Sequence, residues 1–283
     1  MRPVRPEFVP DPSLSRAEME AMQRDIAAAA RFDDDLSCDP AQVCSDSGAT
    51  DGQTRLADVG RDDSETASGG VPADADPPTV AGVDQAFLED DRAVSAIVVL
   101  RGGEVVERVH AVVDTEIPYV PGLLSFREGG AILAAFERLE ATPEVAFVDG
   151  SGRIHFREAG LATHVGVTLD LPTVGVAKNL LCGTPADPIP DDGLAAGERV
   201  AIESDADVTA PPGTTIGYAV QTRQYDSGGR HVNPLYVSPG HRVSATTAAT
   251  LVAQCSAGYK LPEPTRLADA YADEAKATVA REG

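Results

Sequence analysis

Residues 79–149 open on TVAGVDQAF (Thr79–Phe87), a short apolar run, and close on EVAFVD (Glu144–Asp149). Between them lie AVSAIVVL (Ala93–Leu100) and VVERVHAVV (Val105–Val113), which flank an Arg101-Gly102-Gly103-Glu104 turn and read as a hairpin. A Pro-rich segment follows, and then Glu128 to Glu140 carries Ile132, Leu133, Phe136 and Leu139 at helical spacing. The order is strand, hairpin of two strands, helix, strand. It predicts a mixed α/β sheet with helices on both faces, in which the first strand and the strand after the first helix lie side by side. Apolar runs in those two strands end on acids, Asp84 and Asp149, and a third acid, Glu128, opens the helix between them.

An acid directly after four or five apolar residues, twice over, points to a site rather than to solvated element ends. This opening is that of a ribonuclease H-like fold, in which the three acids converge. Carboxylates brought together there suit Mg²⁺, which serves phosphodiester hydrolysis by activating water and neutralising phosphoryl charge. Asp84 and Asp149 are the expected direct ligands, and Glu128 either ligates or accepts a proton from metal-bound water. His241, after the Pro-Gly turn of VSPGHRVS, fits a general acid/base or supporting role. Lys178 ends the apolar run VGVAK and is one of three Lys among 23 basic residues, which suits a point charge on phosphate. His155, six residues after Asp149, is a candidate substrate contact.

Ahead of Glu128 the chain reads IPYVPGLLSFREGG (Ile117–Gly130). Prolines at 118 and 121 stiffen the segment around Tyr119 and Val120. A stiff aromatic tip of this kind parts a base step when a protein must expose one nucleotide. Alone, a Pro-flanked turn docking Tyr119 into the core would be the better reading; beside three acids, a wedge is favoured.

Composition bounds the rest. The 283 residues carry 45 Asp plus Glu against 23 Lys plus Arg, a formal charge of −22. Residues 1–78 hold 17 acids and 7 bases, leaving 28 and 16 for residues 79–283, so both parts are acidic in their own right. A Lys-poor, Asp-rich chain suits a cytoplasm with molar salt, and a halophilic source is expected. Such a charge disfavours a generic nucleic-acid binder, but at molar salt counterion release contributes little to affinity. No apolar run approaches a membrane span, and MRPVRPEFVPDPS lacks a secretory apolar stretch. A cytoplasmic protein without membrane contact is expected, with Cys38, Cys44, Cys182 and Cys255 as reduced thiols.

The expected organisation has three parts. Residues 1–30 form an N-terminal helix packed on the catalytic domain, with Ser15 and Glu18 as a capping box and Leu14, Met19, Met22 and Ile26 on one side. Residues 31–78, with 12 acids and 3 bases, read as an acidic disordered linker. Residues 79–283 form the endonuclease domain. Within it, a helix is expected over 158–165, a strand in PTVGVAKNL and a long loop over 183–215. A second hairpin joins IGYAVQTRQY and NPLYVS through 226–229, and helices follow around 244–256 and 264–279.

The chain resembles endonuclease V, the deoxyinosine-specific repair nuclease family of ribonuclease H-like fold. The resemblance runs from about Thr79 to Lys276 and is carried by VAGVD, PYVPGLLSFRE, FVDGSGRIHFREAGLATHVG, VGVAKNLLCG and YVSPGH in that order. It implies Mg²⁺-dependent hydrolysis of the second phosphodiester 3′ to deoxyinosine, with Mn²⁺ able to substitute. It implies Asp84 and Asp149 as metal ligands, Glu128 and His241 in the catalytic set and Lys178 on phosphate. Pro118, Tyr119, Val120 and Pro121 would form the wedge, and backbone around Gly122, Leu123, Leu124 and Gly150 the base pocket. The expected partner is deoxyinosine-containing DNA, single- or double-stranded, bound by a monomer. An endoribonuclease acting on inosine in RNA is left open by the residues. Departures from the family pattern are Gln85-Ala86-Phe87 after Asp84, Gly129-Gly130 after Glu128, and Phe156 after His155. A resolvase of the same fold would require a further acid from the C-terminal helices, for which Asp269, Asp273 and Glu274 are candidates.

Overall fold

The computed structural model describes residues 1–44, 76–89, 91–115, 117, 120–225 and 231–282. Among the described residues, nine strands form one sheet. They are β1 (Thr79–Phe87), β2 (Arg92–Arg101), β3 (Glu104–Asp114), β4 (Val145–Asp149), β5 (Thr173–Ala177), β6 (Thr184–Pro185), β7 (Arg199–Glu203), β8 (Thr215–Val220) and β9 (Leu235–His241). The spatial order is β3-β2-β1-β4-β5-β9-β8-β7-β6. β1, β4 and β5 run parallel, and every other pairing is antiparallel. The described residues also form α1 (Arg16–Ala29), α2 (Leu124–Glu137), α3 (Leu161–Leu169), α4 (Ala245–Gln254) and α5 (Glu263–Glu282).

Side chains alternate across a strand, and that period sorts the core into two faces. Ala81, Val83, Ala146 and Val148 pack with Ile132, Phe136, Leu161 and Val165 of α2 and α3. Val80, Val145, Phe147, Val174 and Val176 pack with Leu251 and Val252 of α4. Val98 and Leu100 of β2 meet Ala268 of α5 on that same face. Burying a side chain of this size contributes about 1.5–3 kcal/mol. The doubly covered centre of the sheet is therefore the firmest frame for a site at its strand ends.

Several boundaries differ from expectation for identifiable reasons. α2 begins at Leu124, one turn before Glu128, because Val120–Leu123 closes a turn through Leu123 N–H to Val120 O (2.9 Å). Gly122 sits at φ +79° as the third residue of the turn, directly after Pro121, the pattern of a type II turn. Glu128 thus lies in the second helical turn, facing inward. α3 starts at Leu161 because the Gly160 backbone is pressed against Ser151, whose carbonyl oxygen lies 2.3 Å from where a Cβ would stand. The loop expected over 183–215 contains β6 and β7. β8 and β9 pair as expected, and the 226–229 turn assigned to their hairpin lies outside the described residues.

Residues 31–44, expected as the start of the linker, are instead built into the fold. Residues 31–44 lie along α4 and bracket it at both ends. Asp34 accepts hydrogen bonds from Ser244 N–H (2.7 Å) and Thr247 Oγ1 (2.7 Å) at the helix start, where negative charge is favoured. Val43 is fully buried, and Cys44 is disulfide-bonded to Cys255 at the helix end. The acids of this segment act as cap and ion-pair partners, which composition alone reads as disorder. The bridge also corrects the expectation of four thiols: Cys38 and Cys182 are free, whereas Cys44 and Cys255 are not. Residues 45–75 of the expected linker lie outside the described residues.

Candidate functional site

The register of the parallel strands builds the site. β1 and β4 pair through Val83 and Val148, so Asp84 and Asp149 are the next neighbours along the two strands. Both follow the alternation onto the face covered by α4 and α5. Lys178 follows β5 on the same side, two residues after Val176. Gly82 lets α5 close down on that face: a Cβ there would lie 1.8 Å from the Pro264 carbonyl oxygen. The contact sets the start of α5 directly on β1 and carries Asp269, just over one helical turn on, to the strand ends. One oxygen each from Asp84, Asp149 and Asp269 lies within 4.8 Å of the others.

Three carboxylate oxygens so placed fit a hard divalent cation. Ligand oxygens around Mg²⁺ at about 2.1 Å stand roughly 3–4 Å apart, so a small contraction completes the arrangement. The Lys178 ammonium lies 3.1 Å from Asp149 Oδ2 and 3.9 Å from Asp269 Oδ1. Partial burial opposes its charge, but Asp149, Asp84 and Asp269 outweigh that and hold it above the usual lysine range. Asp84 is buried, and burial together with the Asp149 charge keeps its carboxyl well above the usual carboxylate range.

Glu128 approaches from the opposite face, on α2. It does not belong to the three-oxygen cluster, which is the main departure from the expected ligand set. It is 7% exposed, and burial followed by the Asp149 charge pushes its carboxyl up to about 8, with Arg127 partly offsetting. A cleft of about 370 Å³ joins the two groups, lined by Asp84, Gln85, Glu128, Asp149, Gly150 and Lys178 among others. Gln85 presents a buried side-chain nitrogen without a hydrogen-bond partner beside this cleft.

His241 is not brought to the site. It pairs with Thr173 at the opposite end of β5 from Lys178, and it is fully buried. Its Nδ1 accepts from Arg31 N–H (3.2 Å), so Nε2 carries the proton and donates to Asp170 Oδ1 (3.1 Å). Burial holds its ring below the usual histidine range, against the pull of Asp170. A general acid/base role there has no path to the carboxylates. His155 also turns inward, 3% exposed, and donates through Nε2 to Gly122 O (3.1 Å) while Nδ1 accepts from Arg157 N–H (3.2 Å).

The expected wedge is described in part. Pro118 and Tyr119 lie outside the described residues. Pro121 is exposed and Val120 half-buried, whereas Leu123 is buried against Met19 of α1, Ile117 and Phe126 rather than open to a partner. Sequence reasoning held Asp269 only as a candidate for the further acid that a resolvase of the same fold would require. The signal that finds it is the Gly82–Pro264 contact, which a strand glycine two residues before an acid hints at. Gln23 and Arg157, which reach the same turn as His155, carry no local pattern at all.

Comparison with known proteins gives the family and the fold. The family profile described as Endonuclease V matches residues 69–270. An Endonuclease V of Haloarcula marismortui is 64% identical over 280 residues, covering 99% of this chain and 99% of that protein. The crystal structure of the Endonuclease V of Streptomyces avermitilis, 30% identical, superposes with a TM-score of 0.70 over 98% of both chains. The Endonuclease V of Ciona intestinalis, solved with a 24mer DNA containing an inosine followed by a ribo-adenosine, gives 0.64 at 24% identity over 93% of this chain and 98% of that one. That last likeness speaks to the fold alone. Among the described residues, no helix is long and apolar enough to cross a membrane. A profile match over most of the chain and a relative matched nearly end to end lead to one conclusion: the chain belongs to the endonuclease V family.

Proposed function

We propose that this nuclease recognises deoxyinosine in DNA and hydrolyses the second phosphodiester bond 3′ to it, using Mg²⁺, with Mn²⁺ as a working substitute. The observation that carries the reading is the convergence of Asp84, Asp149 and Asp269 at one end of the sheet with Lys178 among them. Hard oxygen donors in that number favour Mg²⁺ or Mn²⁺ over softer metals. When bound, the ion supplies an activated water and neutralises charge on the phosphoryl group.

The chain's own residues do the rest. Asp84, Asp149 and Asp269 would hold the ion. Lys178, released from Asp149, meets a phosphate oxygen as a point charge. Glu128, in its ionised form, takes up a proton of the attacking water on a carboxylate oxygen, and its raised carboxyl, at about 8, makes it a stronger base than a free carboxylate. The Pro118–Pro121 segment, with Tyr119, parts the strand so that the inosine base turns out toward backbone around Gly122 and Gly150. The family profile match and a relative 64% identical over nearly the whole chain support the nuclease reading. In the same reading the enzyme works as a monomer in a high-salt cytoplasm, where its −22 charge keeps the surface hydrated.

The test is strand mapping in molar KCl. Matched strands carry one deoxyinosine, one inosine within RNA, or no lesion, each with Mg²⁺ or with EDTA. A Mg²⁺-dependent nick one nucleotide past deoxyinosine that Asp149→Ala abolishes supports the reading. Preferential cutting of the RNA moves the substrate to inosine in RNA, and equal cutting of undamaged strands rejects lesion recognition.

A further inference from the structure

We propose that α1 works through Gln23 as a positioning device for lesion recognition, holding the Gly122 carbonyl that sets the turn between wedge and catalytic helix. This rests on the deoxyinosine reading above. Gln23 is fully buried on the helix side that otherwise carries Met19, Met22 and Ile26. A buried amide on an apolar stripe is costly unless both its ends are hydrogen-bonded. Both are: Nε2 donates to Gly122 O (2.8 Å), and Oε1 accepts from Arg157 Nη1 (3.0 Å). Arg157 is held in turn by Glu20, one helical turn before Gln23, at 2.9 Å.

The Gly122 carbonyl takes a second hydrogen bond from His155 Nε2 (3.1 Å), so both its lone pairs are used. Two donors from different elements thus converge on one oxygen. One comes from the N-terminal helix. The other comes from the loop that begins at Asp149. Gly122 itself is at φ +79°, a backbone conformation that a residue with a side chain rarely adopts. On the near side of the segment, Arg127 donates to Ile117 O (2.8 Å) and stacks over Phe87. Leu124, immediately after the turn, lines the catalytic cleft with Glu128.

The chemistry at position 23 is specific. Gly122 requires a donor and Arg157 requires an acceptor, and an amide supplies both in one orientation only. Glutamate keeps the acceptor and loses the donor. Methionine, of similar volume, keeps neither. A displaced Gly122 would misplace the base-contacting backbone while leaving Asp84, Asp149 and Asp269 where they are, since those rest on β1, β4 and α5. The loss should therefore fall on substrate recognition and not on the chemical step.

The experiment uses the full chain in molar KCl and Mg²⁺, with kcat and KM measured on strands with and without one deoxyinosine. The variants are Gln23→Glu and Gln23→Met, with Ile26→Val on the same helix as a packing control and Tm recorded for each. The expected result is KM for the deoxyinosine strand raised about tenfold or more in both Gln23 variants, the loss of one buried hydrogen bond, with kcat within about twofold. Discrimination against the undamaged strand falls by the same factor, and Ile26→Val changes neither. A fall in kcat that tracks lost Tm, with KM unchanged, overturns the inference and leaves Gln23 as packing. Unchanged kinetics in Gln23→Glu overturn it even where Gln23→Met fails to fold. Wild-type protein that does not cut the deoxyinosine strand overturns the functional reading itself, and this inference with it.

Discussion

Gly82 of β1 lies directly beneath Pro264 of α5, so close that a Cβ would stand 1.8 Å from the proline carbonyl oxygen. The approach joins a strand to a helix 182 positions later in the chain and places Asp269 opposite Asp84. The site exists because that position has no side chain.

Gly82→Ala is therefore expected to push α5 off the sheet. Overpacking of this kind costs about 1–3 kcal/mol. The variant remains folded with a lowered urea midpoint, while its affinity for Mn²⁺ falls about tenfold or more as Asp269 withdraws. Retained Mn²⁺ affinity, measured by isothermal titration, would show that Asp269 does not depend on this contact.

The carboxyls of Asp84 and Glu128 give the metal-free protein a distinct pH response. Both stand above their unfolded values, near 4, with Glu128 at about 8. Between those limits the folded chain holds protons that the unfolded chain has released, so stability falls as pH rises through the window. Divalent metal displaces those protons, and its stabilisation grows in the same direction. Thermal melts in Mg²⁺ and in EDTA should differ by about 3 °C or more at pH 8.5 than they do at pH 6. A Mg²⁺ effect independent of pH would contradict the raised carboxyls.

His241 supplies a contrast between role and placement. With both ring nitrogens bonded to Arg31 and Asp170, at the far end of β5 from Lys178, it is placed in the frame and away from the carboxylates. His241→Asn is expected to lower Tm, with the cost of a disturbed buried hydrogen bond at about 1–3 kcal/mol. The pH profile of kcat per folded molecule keeps its shape. Loss of a limb of that profile would return His241 to the catalytic set.

The fold and half the site were legible in the sequence because they rest on local patterns. TVAGVDQAF coincides with β1, and the two strand-end acids fall on neighbouring strands because parallel pairing follows from the helix between them. The chain resembled its family through motifs held in order, and the profile match bears that out. What escaped depended on contacts across the chain. Asp269 sits in an ordinary acidic helix, and only the docking of that helix on Gly82 gives it a place. Glu128 reads as a helix opener because acids favour first turns, but the Val120–Leu123 turn starts α2 earlier and buries it. Residues 31–44 read as linker because cap and ion-pair partners have the composition of disorder. The disulfide between Cys44 and Cys255 spans 211 positions, which no spacing rule anticipates. Pro118 and Tyr119, the boldest expectation, lie outside the described residues.

Whether Asp84, Asp149 and Asp269 hold one metal ion together is read from the variant Asp269→Asn. The substitution keeps size and removes one charged oxygen donor. Nicking of a deoxyinosine strand in Mg²⁺ should fall by about a hundredfold or more, with Tm in EDTA unchanged or raised as repulsion among the acids is relieved. Full nicking by Asp269→Asn at wild-type Mg²⁺ dependence would contradict the account.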